Sequence, residues 1–146
     1  MTENQSFGGA TVAPAWLKWV AIIALVWNLL GFAAVAMDTL QAGPPLTGEQ
    51  AAYAAAIPVW AKASSWIAVG AGTAGALLLF RRQARAVGAF ALSLVGLVGQ
   101  DLWMFFLSDA ASVFGTAPLV MQSLVAIIAV ALLWLAIHAR KAGWIS

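Results

Sequence analysis

Two apolar runs, residues 59–80 and 86–107, are separated by only five residues, Arg81-Arg82-Gln83-Ala84-Arg85. Each run is long enough to cross a bilayer as a helix, because ~20 residues at 1.5 Å per residue cover ~30 Å of hydrocarbon. Five residues reach about 17 Å when fully extended, too little to recross that thickness. The two runs are therefore expected to form neighbouring antiparallel helices joined by a tight turn. The turn carries three of the chain's seven Lys and Arg residues. A short loop this basic is held on the cytoplasmic side and sets the direction of every other segment.

Two further apolar runs, 16–37 and 118–137, bring the number of expected spans to four. Across 146 residues the chain is 64% hydrophobic and 8% charged, against about 45–50% and ~25% in soluble domains. A soluble fold of this size could not bury so much apolar surface, whereas a membrane protein need not. The first run ends in Ala34-Val35-Ala36, which resembles a signal-peptide cleavage site. However, it exceeds the ~7–15-residue apolar region of such peptides and follows a weakly charged leader, so it reads as a retained helix. The basic residues cluster at span edges, which makes them topology determinants rather than a nucleic-acid surface.

The expected fold is an all-α, antiparallel four-helix bundle in the membrane, with one domain over residues 15–146. Residues 1–14 read as a flexible cytoplasmic tail. Between the first two spans, Gly43-Pro44-Pro45 breaks any helix. Thr47 and Gln50 then have capping-box spacing, opening a short amphipathic helix over 49–57 at the outer surface. With the arginine turn inside, both termini are inside, and Lys18, Arg81, Arg82, Arg85, Arg140 and Lys141 all fall on that side. Only Lys62 falls outside. The threading that follows is four membrane spans with both termini cytoplasmic.

Residues 70–75 match the dinucleotide-binding pattern G-x-G-x-x-G, but that pattern carries its meaning only between a strand and a helix. Inside a span the small residues instead allow close helix approach. Ala68, Gly72 and Ala76 form one such row, and Ala71 with Gly75 another. Gly88, Ser93, Gly96 and Gly99 offer the matching face on the third span, so these two spans are expected to pack most tightly.

Polar side chains within spans are costly and mark functional candidates. Asn28 lies at mid-depth, with Trp27 beside it facing the bundle interior. Lys62, Gln100, Asp101 and Gln122 lie in the outer third. Together with Trp103 they describe an outward-facing polar pocket in which Lys62 and Asp101 are able to neutralise one another. Two plainer readings stand beside it: Lys62 can snorkel to the interface, and the amides can be interhelical hydrogen-bond glue. Trp60, Trp66, Trp103, Phe105 and Phe106 are either a cleft for an apolar or sugar-like ligand or part of the interfacial aromatic belt. The chain has no Cys and a single His, His138. That inventory excludes thiolate chemistry, bis-His haem and His-rich zinc sites. No Ser/His/Asp set falls at one depth, so no catalytic residue, metal or cofactor is assigned.

Several short motifs recur in a fixed order. They are Trp27-Asn28-x-x-Gly31 leading to Asp38, Leu46-Thr47-Gly48-Glu49-Gln50, Pro58-Val59-Trp60, Leu77-Leu78-Leu79-Phe80-Arg81-Arg82, Leu107-Ser108, and a Trp134…Ala139-Arg140 tail. In this order the chain resembles the small four-span bacterial inner-membrane proteins often labelled "sugar transporter". It departs from them at Thr39, where an aromatic is expected, at Gly48, where a Pro is expected, at Lys62, and in the Gly-rich residues 70–75. The resemblance implies a four-span membrane fold and small-solute transport. Two functions follow as expectations: solute transport or binding, which would need a homodimer because four spans are few for alternating access, or an accessory subunit of a larger membrane complex.

Overall fold

The computed structural model describes residues 11–146, and all regular structure among them is helical. Six helices follow in order: α1 (Ala15–Thr39), α2 (Gly48–Ala56), α3 (Val59–Phe80), α4 (Ala86–Leu102), α5 (Ala110–Phe114) and α6 (Ala117–Lys141). The last turn of α4 widens into a π-helical segment, Trp103–Leu107. With that extension counted, four helices are long and apolar enough to cross a membrane: α1, α3, α4 and α6. Their bounds lie within a few residues of the apolar runs and coincide with them for α3 and for the extended α4.

Local chemistry explains where the helices begin and end. Pro14 and Pro58 occupy the N-cap positions of α1 and α3, where the missing N–H of proline has no cost. The capping box at the start of α2 is formed in both directions between Thr47 and Gln50. Helices α1, α3 and α6 end in the same six-residue hydrogen-bond pattern, with a left-handed residue just past the cap. Gly143 holds that position after α6, at φ 72°, but Gln41 holds it after α1, at φ 52°, and Arg82 after α3, at φ 57°.

The most extensive packing is between α3 and α4, followed by α1 against α3 and α4 against α6. Small residues set the α3–α4 approach. A methyl group added at Gly96 would lie 2.6 Å from the Ala68 nitrogen and 2.7 Å from the Ser64 carbonyl oxygen. One added at Gly75 would lie 2.8 Å from the Phe90 ring, and one at Gly99 2.5 Å from the Ser64 hydroxyl. As the α3 positions fall from 75 to 64, their partners on α4 rise from 90 to 99, so the pair is antiparallel. Gly88, expected to share this role, has open space around it and is exposed. It lies eight residues from Gly96, which turns it about 80° around the helix and off the contact face.

The core is concentrated at one end. Leu17, Ala21 and Ala24 of α1 and Leu132, Ala136 and Ala139 of α6 are the buried residues of those helices. All lie in the half nearest the arginine turn, the basic end, and join Ala76, Leu79, Ala86 and Phe90 in one cluster. The other halves of α1 and α6, toward the far end, bury nothing.

Chain segments beyond the helices close the basic end. The backbone of Ser146 donates to Arg82 O (3.0 Å) and accepts from Ala84 N (2.9 Å), while Ile145 is buried. Ala13 is also buried, and the Thr11 hydroxyl donates to the Ala142 carbonyl. Of the residues expected in the flexible tail, Thr11 and Ala13 thus touch the bundle near the end of α6, while Val12 is exposed. The rest of that expectation, residues 1–10, lies outside the described residues.

Candidate functional site

Toward the far end, α4 and α6 are joined by a polar contact. Gln122 Nε2 of α6 donates to Asp101 Oδ1 of α4 at 2.6 Å, and both side chains are half-buried. Asp101 stands two residues before the π-helical segment. Such a widened turn shifts the angular phase of the residues that follow it, and π-bulges are frequent at functional sites. The first residue of the segment, Trp103, packs edge-to-face against Trp60 of α3, with ring centroids 6.4 Å apart. Its indole Nε1 is buried and has no hydrogen-bond partner. An unmet buried donor costs about 1–3 kcal/mol. Gln100 is half-buried beside Asp101.

The shorter helices roof this region. The Tyr53 hydroxyl of α2 lies 3.1 Å from Ser108 Oγ, which itself donates to the Met104 carbonyl within the widened turn. Tyr53 also meets Phe114 of α5 edge-to-face at 5.1 Å. Neither Tyr53 nor Ser108 was among the candidate residues. The available signal was that Tyr53 is the only Tyr in the chain and sits in an Ala-rich helix.

Other expected members lie elsewhere. Lys62 is exposed, and the partner of Asp101 is Gln122. The expected Lys62–Asp101 neutralisation is thus replaced by a carboxylate–amide bond. The reason is helical phase: Lys62 follows the buried Ala61, so it is turned about 100° from the packed face. Asn28 lies between α1, α3 and α4. Its Nδ2 donates to Ala24 O at 2.8 Å, and its Oδ1 occupies the space beside Gly72 that any larger residue there would fill. Next to it, Ser93 Oγ donates across the helix pair to Ala68 O at 2.7 Å. Asn28 thereby acts in helix packing, two turns or about 12 Å along α4 from Asp101. Trp27 beside it is half-buried. The aromatic set divides as well: Trp66 packs on Phe32 at 5.4 Å, Phe106 is exposed, and only Trp60 joins Trp103. Two shallow depressions lie at the basic end instead, lined by Val87, Ile137, Arg140 and Lys141 and by Gln83, Ala84, Arg85 and Ser146.

No protein-family model, curated protein or solved structure matches this chain.

Proposed function

We propose that the chain is a multi-pass protein of the bacterial inner membrane, an antiparallel four-helix bundle with both ends cytoplasmic, which binds a small polar solute from the outer side. The observation that carries this reading is the Asp101–Gln122 contact next to the unpartnered, buried indole N–H of Trp103. A carboxylate some six residues inside the end of a span, or about 9 Å, is expensive to leave facing lipid. Its exposed portion therefore faces water or a bound molecule. A polyhydroxylated solute suits the set: it donates to Asp101, accepts from Trp103 Nε1, and can stack on the Trp60–Trp103 pair. The resemblance to four-span proteins labelled "sugar transporter" agrees with this choice. Transport would require a homodimer, since alternating access is usually built from two repeats.

A second reading, an accessory subunit, is favoured by one observation. The far halves of α1 and α6 bury no residue within the chain, so both present long faces to a partner. Purification in mild detergent followed by mass spectrometry of everything retained separates the two. Solute binding predicts a small polar molecule that is lost in Asp101→Asn and Trp103→Phe. A stoichiometric large partner with no small molecule, unaffected by both substitutions, overturns it in favour of the accessory role.

A further inference from the structure

The basic end has a depression of its own, apart from the solute site. It has a volume of about 290 Å³ and is lined by Val87 at the start of α4 and by Ile137, Arg140 and Lys141 at the end of α6. A second, of about 500 Å³, is lined by Gln83, Ala84, Arg85 and Ser146. Both cations of the first are exposed, while the described acids, Asp38, Glu49, Asp101 and Asp109, all belong to the far half of the chain. Among the described residues, Arg140 and Lys141 have no side-chain carboxylate partner at their own end. Arg85 brings a third cation to the same region, and the first turn of α4 adds the positive end of its dipole.

We infer that the depression between α4 and α6 holds the phosphodiester headgroup of an anionic phospholipid. Arg140 and Lys141 engage the phosphate, and Val87 and Ile137 lie along the upper acyl chain. The mixed lining selects this occupant. A free phosphate would gain nothing from Val87 and Ile137, and a zwitterionic lipid would bring its own cation against Arg140 and Lys141. Basic pockets between membrane helices on the cytoplasmic side have this chemistry. The inference rests on the membrane reading but not on the solute site.

Native mass spectrometry of the full chain, with phosphatidylglycerol, phosphatidylcholine or inorganic phosphate added separately, tests it. Phosphatidylglycerol should be retained in preference to phosphatidylcholine. Arg140→Gln combined with Lys141→Gln should reduce that retention about fivefold per cation removed. Ile137→Trp fills the depression without changing charge and should reduce it as well, whereas Lys18→Gln, outside the depression, should not. Equal retention of the two lipids overturns the site. So does a loss of the same size from Lys18→Gln, which would mark a diffuse basic surface. Binding of inorganic phosphate that depends on Arg140 and Lys141, without lipid retention, also overturns it.

Discussion

Gln122 Nε2 lies 2.6 Å from Asp101 Oδ1, a side-chain hydrogen bond from the far half of α6 to α4. Below it, the next buried position on α6 is Leu132. The bond therefore acts in the half of α6 that has no fully buried residue.

Removing the amide should accordingly be felt. Gln122→Leu leaves the carboxylate without its donor, and a double-mutant cycle with Asp101→Leu should give a coupling of about 0.6 kcal/mol, and at most about 1.7, as found for interhelical hydrogen bonds in membranes. Lys62→Met should leave stability unchanged. Thermal unfolding in detergent measures all three.

The glycines give a contrast within one helix. Gly96→Ala drives a methyl into the α3 backbone and should cost about 1–3 kcal/mol, as overpacking does. Gly88→Ala meets open space and should be neutral or stabilise by up to about 1 kcal/mol through helix propensity. Matched thermal scans of the two variants check the pair.

That contrast also marks what was legible in the sequence. Run lengths, the Thr47–Gln50 cap and the Ala68-Gly72-Ala76 row depend on spacing along the chain, and the helices follow them. Depth in a span is likewise a matter of counting. Azimuth is not: one residue turns a side chain by about 100°, which separates Lys62 from Ala61 and Gly88 from Gly96. The Lys62–Asp101 pair failed for that reason. The widened turn at Trp103–Leu107 also had no signal, because apolar aromatics suit an α-helical and a π-helical turn alike. The concentration of the core at one end arises from which faces meet, which the mean hydropathy of a run does not carry.

Gln41 closes α1 with a left-handed backbone, at φ 52°. For a residue with a Cβ this conformation costs roughly 1–2 kcal/mol. Gln41→Gly should relieve about 1 kcal/mol of that, seen as a higher melting temperature in detergent, while Gln83→Gly in the arginine turn, with no positive φ to relieve, should not raise it.

The central claim is a water-accessible polar cleft on the outer side, beside Asp101 and Gln122. Because the chain contains no Cys, single-cysteine variants probed with a membrane-impermeant maleimide on intact cells test it directly. Gln122→Cys should be labelled from outside. Met121→Cys, at the same depth but exposed on the neighbouring face of α6, should be protected by lipid, and Ala84→Cys should react only after the membrane is opened. If Gln122→Cys is as unreactive as Met121→Cys while Asp109→Cys is labelled, there is no cleft. If Ala84→Cys is labelled from outside, the threading is inverted.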